Sequence, residues 1–80
     1  MTALYVLDVP ENTTVAKVAA EFGASVGKIG PYFEITADGS IVIDRRATGC
    51  RHAVWYSCIA GVSGGTIVQH DKNALQVDPA

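Results

Sequence analysis

The sequence has no surplus of positive charge and no long hydrophobic run. Six lysines and arginines stand against eight aspartates and glutamates, which gives a net charge of −2 at pH 7. Proteins that bind nucleic acid carry a basic surplus that neutralises phosphates, so we expect no nucleic-acid partner. No segment approaches the ~20 apolar residues of a membrane-spanning helix, and the N-terminus lacks a basic and then apolar leader. We therefore expect a soluble, cytoplasmic protein without membrane contact.

Cysteine is scarce, because Cys50 and Cys58 are the only two. Because they are eight residues apart in sequence, their Cα atoms would lie ~12 Å apart on a helix or ~26 Å apart on a strand. A disulfide needs Cα atoms within ~7 Å, and one zinc site sharing both thiols is excluded by the same distances. The absence of a disulfide framework agrees with a cytoplasmic location. We expect both cysteines to be small buried hydrophobes, and no metal or cofactor.

What the sequence does have is apolar residues in a short chain. Eighty residues predict a single domain, 1–80, near the lower size limit for independent folding. Hydrophobic residues make up 49% of it, and the mean hydropathy is +0.24. Such a small domain cannot place all of this apolar area in one core. Oligomerisation or docking on another protein is the usual way to cover the remainder.

The first half of the chain predicts a strand, a helix and a hairpin. Residues 3–9, ALYVLDV, are strand-like. Residues 12–23 predict a helix that Asn12, Thr13 or Thr14 caps and Gly23 ends. Its apolar face comprises Val15, Val18, Ala19 and Phe22. Asp38-Gly39 then predicts a two-residue type I′ turn in a hairpin over residues 31–44, with Ile35 opposite Val42.

Residues 66–71 and 74–77 predict a final pair of strands joined through Lys72-Asn73. The fold class is therefore α+β: a β-α-β-β-(α)-β-β sandwich with a mostly antiparallel sheet and helices on one face. The first strand is apolar on both sides, with Leu4 and Val6 on one and Tyr5 and Leu7 on the other. Since one helical layer covers one face of a sheet, the second face needs a partner or a second copy.

Residues 44–58, DRRATGCRHAVWYSC, hold every arginine, both cysteines and the only tryptophan. Residues 48–62 are compatible with a helix or a strand. A helix is favoured, because Asp44 or Thr48 can cap it and the glycines from Gly61 onward can end it.

Arg45, Arg46, Arg51 and His52 form a local positive patch on an acidic protein. Arginine binds carboxylates and phosphates bidentately, so the patch predicts an anchor for a small anionic ligand or for an acidic surface of a partner. The favoured interpretation, however, is that Arg45 and Arg46 make surface ion pairs with Asp44 and Glu34. Two aromatic residues beside the patch, Trp55 and Tyr56, are expected in the core and at the interface.

The catalytic candidates are weak. Cys50 could be a reactive thiol if neighbouring arginines lowered its pKa, and this stays open. His52 and His70 could act as general bases, but neither has an orienting partner that the sequence spacing identifies.

Two functions remain, and the first is favoured. It is a non-catalytic accessory protein that docks on a larger enzyme or self-associates through an apolar sheet face. The element order resembles that of the cofactorless coupling proteins of bacterial multicomponent monooxygenases, which implies a small effector subunit. The alternative is a small oligomeric enzyme or ligand-binding protein, isomerase-like, in which Arg46, Arg51 and His52 hold an anionic substrate in a dimer cleft.

Overall fold

The computed structural model describes residues 1–80 as seven strands, three α-helices and one 3₁₀ turn, Pro10–Asn12. The strands are β1 (Thr2–Leu7), β2 (Ser25–Ile29), β3 (Tyr32–Ala37), β4 (Ile41–Asp44), β5 (Ile59–Ser63), β6 (Gly65–His70) and β7 (Ala74–Pro79). The helices are α1 (Thr13–Glu21), α2 (Arg45–Thr48) and α3 (His52–Ser57). None of them has both the length and the apolar character that crossing a membrane requires.

The strands form two antiparallel sheets. The first sheet has the order β2-β3-β1-β5 and the second has the order β4-β7-β6. Every hydrogen-bonded pair of strands is antiparallel. The predicted α+β class with antiparallel pairing is confirmed, and so is the final hairpin, β6 with β7. The division into two sheets was not predicted.

The predicted hairpin over residues 31–44 is wrong. β3 pairs with β1 and β2, whereas β4 pairs with β7 in the other sheet. The physical reason is burial. In the predicted register, Ile35 would face the opposite side from Ile41 and Ile43, but the two-sheet arrangement buries all three. The hairpin that does form joins β2 to β3 through Gly30-Pro31, with Gly30 in the left-handed region at φ 55.

Residues 45–63 contain both helix and strand. Asp44 caps the separate short helix α2, since its Oδ1 accepts a hydrogen bond from the Arg46 N–H at 3.1 Å. Gly49 at φ 69 ends that helix, and α3 then runs only as far as Ser57. The helix at 52–57, for which Asp44 or Thr48 was the predicted cap, has Arg51 at its N-cap position without a side-chain bond. The remaining residues form β5, an edge strand of the first sheet. The favoured helix is therefore correct for 52–57 and wrong from Ile59 onward.

The core lies between the two sheets and α1. It includes four side chains of the first sheet and four of the second: Leu4, Val6, Phe33, Ile35, Ile41, Ile43, Leu75 and Val77. Trp55, both cysteines and Val15, Ala16, Val18 and Ala19 of α1 complete it, and the expected burial of Cys50 and Cys58 is confirmed. Phe22 is the exception among the predicted core residues of α1, because it is 65% exposed.

The start of α1 differs from the prediction in its capping. Asn12 occupies the N-cap position but makes no side-chain capping bond. Its Nδ2 instead donates to the Leu7 carbonyl at 3.0 Å, while its buried Oδ1 has no hydrogen-bond partner. Asn12 therefore connects the end of β1 to the helix instead of capping it.

Candidate docking surfaces

One side of the first sheet is open to solvent. The register of β1, β2 and β3 places Tyr5, Leu7, Ile29, Tyr32 and Glu34 on this side. Their neighbours one position along β1 and β3 point into the core, as with Leu4 and Val6, whereas β2 is exposed along its whole length. Ile29 is 51% exposed and Leu7 is 41% exposed. We call these five residues the open face.

A groove of about 480 Å³ crosses the open face. It is lined by Tyr5, Ile29, Gly30, Pro31, Tyr32, Ala60 and Gly61. Gly61 has a specific role, because a Cβ atom there would lie 3.9 Å from Cδ2 of Tyr5, in ordinary contact. The absent side chain thus leaves the Tyr5 ring uncovered on the floor of the groove. Any larger side chain at this position would occupy the space above the ring.

Tyr5 is held in place by Glu34. Its hydroxyl donates to Oε2 of Glu34 at 3.1 Å. This hydrogen bond raises the pKa of Tyr5, and the removal of water and the Glu34 charge act in the same direction. The phenol therefore stays protonated and donating at neutral pH. The groove has an apolar wall with one fixed carboxylate beside it.

Arg45 is engaged within the molecule. Its Nε donates to the Lys72 carbonyl, and its Nη1 donates to the Cys50 carbonyl at 3.2 Å. Its backbone N–H also donates to the Asn73 carbonyl at 3.0 Å. These contacts join α2 to the turn between β6 and β7. Arg45 thus has a structural role in this chain, and its side chain is only partly exposed.

Arg46 and Arg51 are exposed and form no ion pair. The single ion pair in the structure joins Lys28 to Asp8 at 2.9 Å. The favoured prediction, that Arg45 and Arg46 pair with Asp44 and Glu34, is therefore wrong. Asp44 accepts from a backbone N–H and Glu34 from the Tyr5 hydroxyl. Both guanidinium groups remain available to a carboxylate outside the molecule.

A second groove, of about 280 Å³, connects Arg51 to the open face. Its lining is Leu7, Val9, Glu11, Asn12, Arg51, Val54 and Ser57. Leu7 belongs both to this groove and to the open face, where it lies opposite Tyr32. The apolar surface therefore continues from β2 across β3 and β1 to α3. We call Arg46, Arg51 and this groove the arginine end.

The aromatic candidates of α3 separate into a buried and an exposed residue. Trp55 is fully buried, and its Nε1 donates to the Asp71 carbonyl at 2.6 Å. It is therefore a core residue with no surface to offer a partner. Tyr56 is 50% exposed, and its ring lies 5.2 Å from the ring of His70.

The sequence did not predict that His70 packs against Trp55 of α3. Its ring packs edge-on against Trp55 at 5.6 Å, and its Nε2 lies 3.2 Å from the Trp55 carbonyl. Asp71, which follows it, accepts hydrogen bonds from the backbone N–H groups of Asn73 and Ala74 and from Gln69. These bonds lower the pKa of Asp71. Both residues stabilise the β6–β7 turn against α3.

The predicted catalytic residues do not come together. Cys50 lines a small groove with Glu11, Gly49, Arg51 and Val54, and His52 is not part of it. His52 instead lies beside Tyr56, with 6.5 Å between the ring centres. Burial raises the pKa of Cys58 to about 11, so that this thiol stays protonated. No three His, Cys, Asp or Glu side chains are arranged as metal ligands.

Comparison with known proteins identifies a structural relative. Neither a protein-family model nor a curated protein matches the sequence. The fold is similar to that of a chain in a solved complex of phenol hydroxylase with its regulatory protein, with a TM-score of 0.79. The alignment covers 99% of this chain and 98% of that one, at 13% sequence identity. That chain is the regulatory protein of the complex. At this identity the similarity shows a shared fold.

Proposed function

We propose that this chain is a non-catalytic accessory protein that docks on a larger enzyme through the open face and the arginine end. The observation that carries the proposal is the continuous apolar surface from Ile29 to Val54, which no other part of the chain covers. A monomer gains nothing from keeping such a surface in water. Two unpaired arginines at its border add a preference for an acidic partner surface.

The structural relative supports the same function. Its solved structure is a complex of a hydroxylase with a regulatory protein, and this chain shares the fold of that regulatory protein over nearly its whole length. We therefore take the partner to be an oxygenase of the phenol hydroxylase kind. In that setting the chain changes the turnover of the enzyme without supplying a catalytic group.

The alternative, a small enzyme with an anionic substrate, requires Arg46, Arg51 and His52 to converge on one pocket. Of these three, only Arg51 lines a groove of the structure. His52 is directed toward Tyr56, and Arg46 lies on α2 outside every groove. No observation favours this function over docking.

The direct experiment is affinity capture from native lysate with the tagged chain, followed by a turnover assay. We expect a larger enzyme in the eluate at a fixed molar ratio. Its rate should change when the purified chain is added back, and should level off at that ratio. Arg46→Ala and Arg51→Ala together should weaken capture about thirtyfold or more, since each lost contact to a buried carboxylate is worth about 1 kcal/mol or more.

Lys17→Ala is the matched control, because Lys17 is an exposed cation on α1. It should capture the enzyme as well as the wild-type chain does. A clean homo-oligomer without another protein would contradict the proposal. The proposal would also be contradicted if the turnover rate of the captured enzyme did not change when the purified chain was added.

A further inference from the structure

Phe22 is the most exposed aromatic side chain of the molecule, with 65% of its surface in solvent. It follows the last residue of α1, and its N–H still donates to the Val18 carbonyl at 3.1 Å. Gly23, at φ 98, then turns the chain away toward β2. The ring is thereby held outside the core at the end of a helix. Because the ring is mostly exposed, it contributes little to the stability of the fold. A role in binding another molecule would account for its position.

The ring of Phe22 forms one wall of a cleft of about 70 Å³. Val42 of β4, which is 44% exposed, belongs to the opposite wall. The full lining is Ala19, Phe22, Gly23, Ala24, Ala37, Ser40, Ile41 and Val42. We call this cleft with Phe22 and Val42 the Phe22 corner. It has room for a short aliphatic side chain.

Three carboxylates belong to residues next to the lining of the Phe22 corner. Glu21 precedes Phe22, and Asp38 follows Ala37, which lines the cleft. Asp78 accepts a hydrogen bond from the Ser40 hydroxyl at 2.8 Å, and Ser40 also lines the cleft. Hydrogen bonds from Gln76 and Ser40 lower the pKa of Asp78, which keeps it ionised.

The positive charges lie at the other end of the sheets. The chain has six lysines and arginines. All but Lys17 lie at the end where β1 and β4 finish, namely Lys28, Arg45, Arg46, Arg51 and Lys72. Lys17 lies one turn before Glu21 on α1 and forms no ion pair with it. Four carboxylates lie at the same end as the other five cations, on Asp8, Glu11, Asp44 and Asp71. The arginine end therefore has charges of both signs, whereas the Phe22 corner has an excess of negative charge.

We propose that the Phe22 corner is a second docking site, for a protein surface that presents an aliphatic side chain surrounded by lysine or arginine. Exposed aromatic residues beside a cleft are typical anchors of protein interfaces. The three carboxylates select a basic surface by charge complementarity. With the arginine end on the enzyme, the chain would bridge two proteins.

The test uses two synthetic amphipathic helical peptides of equal length. One contains leucine and lysine, and the other contains leucine and glutamate at the same positions. Each is titrated into the ¹⁵N-labelled chain and followed by NMR. The leucine–lysine peptide should shift the amides of residues 21–23 and 38–42 first. The leucine–glutamate peptide should leave them unchanged.

Phe22→Ser should weaken binding of the leucine–lysine peptide at least tenfold. Val68→Ser is the matched control, because Val68 is also apolar and 54% exposed but lies on β6. Thermal unfolding of both variants shows that they remain folded. Arg51→Ala should not affect binding of the leucine–lysine peptide. The failure of this proposal can therefore be distinguished from the failure of the proposed function.

Three results would overturn the proposal. The first is equal binding of both peptides, and the second is wild-type affinity in Phe22→Ser. The third is a concentration-dependent shift of the same amides in the free chain, together with dimers in sedimentation velocity. That result would assign the Phe22 corner to a contact between copies of this chain.

Discussion

Trp55 determines how the third helix sits on the second sheet. It is fully buried, its Nε1 donates to the Asp71 carbonyl, and its ring contacts His70. One side chain of a six-residue helix thus contacts the β6 end of the β6–β7 turn. Because α3 borders the arginine end, the position of Arg51 depends on this contact.

Trp55→Phe should lower the free energy of unfolding by about 2–4 kcal/mol. It removes the indole N–H from a buried carbonyl and leaves a cavity beside His70. Urea denaturation with tryptophan-independent detection, such as far-UV circular dichroism, measures the change. Tyr56→Phe is the control, since Tyr56 is 50% exposed. An equal loss in both variants would show that Trp55 has no special role.

Among the elements, the corner between β5 and β6 is the most constrained. It moves the chain from the first sheet to the second at Gly64-Gly65. Gly64 has φ 69, and a Cβ atom at Gly65 would lie 2.6 Å from the Asp78 carbonyl oxygen. The backbones of β6 and β7 can approach each other only if this position lacks a side chain.

Gly65→Ala should therefore destabilise the protein by about 1–3 kcal/mol, through overpacking against backbone. Gly39→Ala, in the connection between β3 and β4, should change stability by no more than about 1 kcal/mol, because a Cβ there meets nothing within 4 Å. Thermal unfolding compares the two variants. If Gly65→Ala unfolds at the wild-type temperature, the close approach of the two strands is incorrect.

The success of the sequence prediction differs between elements for physical reasons. The final hairpin and α1 were predictable because their signals are local: apolar periodicity, a glycine stop and a short turn. The pairing of β3 with β1 was not predictable, because Asp38-Gly39 has the composition of a tight turn while burial of Ile41 and Ile43 decides the outcome. Burial of that kind depends on β7, which lies more than thirty residues away.

The candidate site, like the fold, could be predicted from the sequence only in part. Composition and strand alternation predicted a second apolar face, with Tyr5 and Leu7 on the side opposite Leu4 and Val6. Which of the two sides is open was not predicted. The groove was not predictable, since it depends on Gly61 lying beside Tyr5 across the β1–β5 pair. Trp55 was also predicted to lie at an interface, but its side chain is completely buried in the core.

For the whole molecule, the central feature is its two exposed apolar regions at opposite ends of one small core. The open face and the arginine end form one continuous surface, and the Phe22 corner lies at the far end of the sheets. An accessory protein of this kind binds by surface complementarity, so its function should respond to changes in shape that leave its stability intact.

The most direct test of docking through the open face is the affinity of two glycine variants for the captured enzyme. Gly61 and Gly27 lie in the same row of the first sheet, on opposite edge strands, but only Gly61 lines the groove. A Cβ atom is tolerated at both positions. Gly61→Val should fill the groove above Tyr5 and weaken binding at least tenfold, while Gly27→Val should bind as the wild-type chain does. Wild-type affinity in Gly61→Val, with the protein folded, would contradict the account.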